Sequence, residues 1–121
     1  MEPLEVVLYQ NDARTAQVLA AGLSQQFRSV HLARTSEEIR PAIARHRADV
    51  LVLDVESSRV GEVERLHREF PGLSIVCTHR LADEELWSDV LNQGASDMCL
   101  PWNAGDVVQS VMRERAQRSA A

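Results

Sequence analysis

Lysine is absent from this chain of 121 residues, and all 13 basic groups are arginines. Any role that a compact ammonium would play therefore falls to arginine or goes unfilled. Cysteine is scarce: Cys77 and Cys99 both sit in apolar stretches and are too few for a secreted disulfide framework, which favours a reducing, cytoplasmic setting. No run is long and apolar enough to span a membrane, since the longest uncharged stretch, Thr15 to Phe27, carries Gln17, Ser24, Gln25 and Gln26. The start, Met1-Glu2-Pro3, has no secretion-signal pattern. With 18 acidic residues the formal charge is −5, and no basic cluster precedes the last few residues, so nucleic acid is not expected as a partner. Gln10 to Ala16 contains no glycine to cradle a flavin phosphate, and no P-loop, dinucleotide fingerprint or paired Cys/His zinc spacing occurs.

What is present, 45% apolar residues, suffices for one compact domain. A domain of this length buries roughly two thirds of its unfolded surface. Short apolar runs alternate with segments of helical spacing, the pattern of a parallel sheet covered by helices on both faces. Val50-Leu51-Val52-Leu53 predicts a central strand, because four adjacent apolar residues suit burial on both sides. Leu4 to Tyr9, Ser74 to Thr78 and Ser96 to Leu100 predict three more strands, and Val30 to Ala33, alternating through His31, predicts an edge strand. Val18, Leu19, Leu23 and Phe27 form one helical stripe; Val63, Leu66 and Phe70 form another that stops at Pro71-Gly72. Leu86, Val90 and Leu91 mark a helix ended by Gly94. Val107, Val108, Val111 and Met112 mark the last helix, with Arg113, Arg115 and Arg118 near its negative end. Thr35-Ser36-Glu37-Glu38 reads as a capping box for the second helix, in which Pro41 predicts a kink or a late start.

Five strands and five helices in strict alternation predict an α/β, doubly wound sheet in a single domain over residues 1–121, with its core from about 4 to 117. Chemistry in such sheets gathers beyond the carboxyl ends of the strands. The residues placed there are Gln10, Asn11 and Asp12; Asp54; Thr78 and His79; and Leu100 and Pro101.

Asp54 directly after the central strand, the acid-or-amide cluster after the first, the hydroxyl of Thr78, and Gly94-Ala95 leading to Pro101 together resemble the response regulator receiver domain. The resemblance covers nearly the whole chain, from Leu4 to Gln117, and implies the flavodoxin-like (CheY-like) fold with strand order 2-1-3-4-5. It further implies phosphoryl transfer from a partner histidine kinase to Asp54, with Thr78 bonding the phosphoryl oxygens. Mg²⁺ would be held by Asp54, the Asn11 amide and the main-chain carbonyl of Glu56, and a cis peptide would precede Pro101.

The sequence departs from that family at several points. The two acidic residues expected after the first strand are Gln10 and Asn11 here, while Asp12 fills the third position, normally a helix cap. Leu100 stands where the family has its lysine, no aromatic occupies the switch position near Asp97 and Met98, and His79 follows Thr78 where a small residue is usual. Acyl-phosphate formation depends on neutralising the phosphoryl oxygens, so losing an acid and the lysine together is expected to remove several powers of ten in rate. Mg²⁺ binding is expected to be weak. Arg80, Arg59 and Arg14 are the candidates to replace the lysine.

The reading that follows is a degenerate receiver, or pseudo-receiver, of a two-component phosphorelay. It is not an enzyme, carries no output domain of its own, and acts by contact with a kinase or downstream effector; a homodimer is compatible with it. The alternative within the family is a working phosphoacceptor at Asp54. From another class, Cys77, His79 and Asp54 suggest a thiol hydrolase, although free cysteine in apolar strands usually behaves as a small buried hydrophobe. Cys77 and Cys99 fall on neighbouring strands, close enough in principle to approach each other, and in a cytosolic chain are expected to be reduced. Trp87, beside the Leu86-Val90 stripe, and Trp102, next to Pro101, are the expected interaction residues.

Overall fold

The computed structural model describes residues 2–81 and 83–120; the expected domain limits, residues 1 and 121, lie outside them. Five parallel strands, β1 (Glu2–Tyr9), β2 (Phe27–Ala33), β3 (Val50–Asp54), β4 (Ser74–Thr78) and β5 (Asp97–Cys99), form one sheet in the order β2-β1-β3-β4-β5. Five helices alternate with them: α1 (Ala13–Ser24), α2 (Ile39–His46), α3 (Glu62–Glu69), α4 (Glu84–Asn92) and α5 (Ala104–Ala120). This is the predicted doubly wound fold, with β3 central and β2 at an edge.

The alternation of side chains along the strands divides the core in two. Val6, Leu8, Val50, Val52 and Val76 face α1 and α5, which contribute Leu19, Leu23, Val107 and Val111. Val7, Tyr9, Leu51, Leu53, Ile75 and Cys77 face α2, α3 and α4, which contribute Ile39, Ile43, Val63, Leu66 and Val90. Every residue of β3 is buried, as the apolar run predicts for a strand covered on both faces.

Two helical readings are corrected. The stripe of α1 runs through Ala16, Leu19 and Leu23; Val18 is 59% exposed, and Phe27 lies beyond the helix, fully buried at the start of β2. The buried positions follow the three- and four-residue spacing of one face, and Val18, one residue before Leu19, falls about 100° off that line; Gly22 lies so close to Ala104 of α5 that an added Cβ would meet it at 2.7 Å. The second helical segment opens with a 3₁₀ turn, Ser36–Glu38, and α2 begins late at Ile39, so Pro41 falls in its first turn, where no intrahelical N–H is required. Thr35 makes no capping bond. Glu38 reaches back instead to accept from the Arg34 N–H at 2.7 Å.

Arginine forks hold the ends of these elements. Arg40 of α2 bonds Glu62 and Glu69 of α3, and the Arg40 bond outweighs burial to hold the Glu62 carboxyl below its ordinary range. At the sheet's amino end Arg115 and Arg118 of α5 donate to the carbonyls of Asp49 and Gly72, while Glu114 accepts from Ser74 at 2.6 Å. Gly94, at φ 114°, turns the chain from α4 into β5 against the His67 ring, whose Cγ would lie 2.5 Å from an added Cβ. Gly94→Ala combines a disfavoured backbone region with that clash and should lower unfolding free energy by roughly 1–3 kcal/mol. Urea denaturation measures this, and an unchanged midpoint contradicts it.

Candidate functional site

The carboxyl ends of β1 and β3 open into a cleft of about 420 Å³, lined by Asn11, Asp12, Asp54, Glu56 and Arg80 among others. Asp54 is the last residue of β3 and only 7% exposed. A carboxylate in that position needs hydrogen-bond donors, and the chain supplies three. Asn11 N–H donates to Oδ2 at 3.0 Å, Glu56 N–H to Oδ1 at 2.9 Å, and the Ser57 hydroxyl to Oδ2 at 3.1 Å. Ser58 Oγ donates to the Asp54 carbonyl at 2.7 Å, which curls the loop after β3 over its own strand end. Asp54 thus forms an Asx-type turn with the residues that follow it.

The remaining charges around the cleft are already partnered. Asp12 is the N-cap of α1, accepting from Thr15 N at 2.8 Å and Thr15 Oγ1 at 2.6 Å, and the Thr15 bonds hold its carboxyl below the ordinary range. Arg80 is fastened to Glu56, whose carboxylate takes its Nε at 2.9 Å and its N–H at 3.0 Å. Partial burial opposes ionisation of Glu56, but these bonds outweigh it and keep the carboxyl low. Of the three arginines expected near Asp54, Arg80 alone lines this cleft; Arg59 turns to Glu62, and Arg14 is exposed on α1.

Asn11, Asp54 and Glu56 are therefore brought together as expected, but Asn11 offers its backbone N–H to the carboxylate. Among the described residues no group of three His, Cys, Asp or Glu side chains is arranged to hold a metal ion. Mg²⁺ takes octahedral oxygen ligands and usually one or two free carboxylates. Asp54 already accepts three protein hydrogen bonds, and the other carboxylates of the cleft, Asp12 and Glu56, are bonded to Thr15 and Arg80, so none of the three meets that requirement unshared.

Thr78 pairs with Asp54 in register but is fully buried, and its Oγ1 accepts from Gln10 Nε2 at 2.7 Å. Gln10, read in the sequence only as a missing acid, is thus the partner of the strand-four hydroxyl. His79 does not obstruct the cleft: it lines a neighbouring groove with Leu81 and Trp87, and its Nδ1 accepts from Leu81 N–H. Among the described residues no peptide bond is cis, so the bond before Pro101 is trans, contrary to the expectation. Trans is the default for an X–Pro bond, and Leu100 has no charge to aim into the cleft.

The thiol reading fails on register. Cys77 pairs with Leu53, so its side chain faces the layer opposite to that of Asp54 and Thr78. Cys99 pairs with Thr78 and faces α1 and α5, so the two cysteines lie on opposite sides of the sheet and do not approach. Burial pushes both thiols up, Cys99 to about 11 and Cys77 further. Trp87 and Trp102 are 45% and 61% exposed.

No family model matches the sequence, and no curated protein matches it. The fold, in contrast, is shared with solved receiver domains. A response regulator from Thermotoga maritima is 20% identical, with a TM-score of 0.78 over 93% of this chain and 99% of that one. The receiver domain of a DNA-binding response regulator from Colwellia psychrerythraea is 12% identical, with a TM-score of 0.79 over 93% and 98%. A chain of the CheX–CheY complex with BeF₃ and Mg²⁺ from Borrelia burgdorferi is 20% identical, with a TM-score of 0.75 over 93% and 89%. The chain has the fold of a response regulator receiver domain. No helix among the described residues is long and apolar enough to cross a membrane.

Only the thiolate reacts with an aromatic disulfide, so raising a thiol from the ordinary 9.0 to about 11 starves the reaction at neutral pH. At pH 8, labelling of native Cys99 should run about a hundredfold slower than in the urea-unfolded chain. Rapid stoichiometric labelling of folded protein contradicts this burial.

Proposed function

We propose that this chain is a receiver-like signalling domain that works by protein contact, with Asp54 kept as a structural carboxylate rather than a phosphoacceptor. The observation that carries the reading is the triple capture of Asp54 by Asn11 N–H, Glu56 N–H and Ser57 Oγ. To attack a phosphoryl donor, an oxygen of this carboxylate has to present a lone pair along the line of the leaving group, and charge on the equatorial oxygens has to be neutralised. Oδ2 accepts two of these bonds and Oδ1 one, which fixes the carboxylate's orientation, while the Arg80 charge is spent on Glu56 and the chain has no lysine to neutralise the phosphoryl oxygens. A divalent ion at Asp54 would share the carboxylate with these donors, which weakens its hold.

Contact is then the function left to the fold. Leu81, Trp87 and Trp102 are exposed near the carboxyl end of the sheet, and large exposed aromatics anchor interfaces. Beside Trp87 lies a groove of about 210 Å³ floored by Met98 and Leu100 and rimmed by Asp83, Glu84 and Asp106. The apolar floor and acidic rim suit a partner segment that carries apolar and basic side chains, on a signalling protein such as a kinase or effector. No catalytic turnover is assigned, and a cytoplasmic setting fits two unpaired, buried cysteines.

A working phosphoacceptor is favoured by one observation, that Arg80 lines the same cleft as Asp54. Incubation with Mg²⁺ and acetyl phosphate, followed by intact mass measurement, separates the readings. The parent chain is expected to gain no phosphoryl mass beyond that of Asp54→Asn. An adduct present in the parent and lost in that variant would overturn the binding-only reading.

A further inference from the structure

The exposed Trp87 ring keeps its polar edge turned into the domain, where the indole N–H donates to Asp97 Oδ1 at 3.0 Å. The same oxygen accepts Met98 N–H at 2.8 Å, and Oδ2 accepts the hydroxyl of the buried Ser110 on α5. Asp97 can reach both helices because β5 is an edge strand. Cys99, two residues on, faces the α5 layer, and Met98 between them packs into the opposite one. One carboxylate therefore joins α4, β5 and α5.

Little else fastens α4. Val90 is its one buried residue among those described, and Leu86 is half-buried. A helix with so thin a footing opens or tilts at low free-energy cost, and a hydrogen bond to its outer flank is then a large share of what holds it. Spending the indole N–H on Asp97 also leaves the ring's apolar faces outward with no unpaired donor to desolvate when another surface covers them. A contact residue fixed before binding loses less freedom on association.

We infer that Asp97 sets the contact face of this chain, holding Trp87 and Ser110 so that the face is preformed. The use of the face for docking rests on the reading proposed above; the Asp97 tie does not.

The tie is tested in the 121-residue chain carrying Trp102→Phe, so that Trp87 alone reports. In this parent, hydrogen exchange of the indole N–H, followed by NMR, should be slower than in free tryptophan by roughly tenfold, the protection one hydrogen bond confers. Asp97→Ala should abolish that protection and increase acrylamide quenching of Trp87. Asp97→Asn, which keeps an acceptor for the indole, should restore most of the protection, and Ser110→Ala should produce a smaller loss than Asp97→Ala. Exchange in the parent as fast as in free tryptophan overturns the inference without any variant. So does an Asp97→Ala protein that stays folded by circular dichroism with exchange and quenching unchanged. If Asp97→Ala does not fold, the parent and Ser110→Ala decide, and an unchanged Ser110→Ala removes α5 from the tie. A phosphoryl adduct on Asp54 would sink the binding-only reading and leave these results as they stand.

Discussion

Burial of β3 on both faces is the constraint from which the site follows. Val50, Leu51, Val52 and Leu53 are all completely buried, which pins the strand in the middle of the sheet and delivers Asp54 to its end with little solvent. A carboxylate at 7% exposure has to find donors inside the protein. The strand fixes where it sits, β1 brings the Asn11 N–H alongside, and the loop after β3 folds back with Glu56 and Ser57. The result is a buried carboxylate held by three protein donors at the strand end where the fold usually keeps its chemistry.

The absence of lysine shapes the rest of the molecule. Arginine presents a planar fork whose geometry rewards fixed partners, carboxylates and carbonyls, more than a mobile ionic contact. The arginines near functional or structural junctions are committed in that way: Arg80 to Glu56, Arg40 to Glu62 and Glu69, and Arg115 and Arg118 to main-chain carbonyls. No described cation is left turned toward the Asp54 carboxylate by a direct bond. Asp97 offers the reverse case, an acid at a sheet edge whose partners are uncharged donors on two helices.

The exposed and buried aromatics divide the labour. Phe27 and Tyr9 lie in the core, one on each side of the sheet, whereas both tryptophans lie at the surface. With so few aromatic residues in the chain, two solvent-facing tryptophans at the same end of the domain concentrate its capacity for strong contacts there.

The amino-acid order by itself determined the strands, a central β3 and an edge β2 in a doubly wound sheet, and the residues at the strands' carboxyl ends, because side-chain periods of two and 3.6 are local and a right-handed crossover leaves few topologies; the full strand order came from the resemblance to receiver domains. It also determined that Asp12 caps a helix and that Trp87 and Trp102 face outward. Tertiary structure alone decided that Cys77 and Cys99 lie on opposite faces, since a one-residue register offset reverses a side chain's direction. It alone decided that Val18 is exposed, that Gln10 serves Thr78, and that Asp97 joins α4 to α5. Each of these depends on which atoms meet across gaps of tens of residues, and no local pattern carries that information.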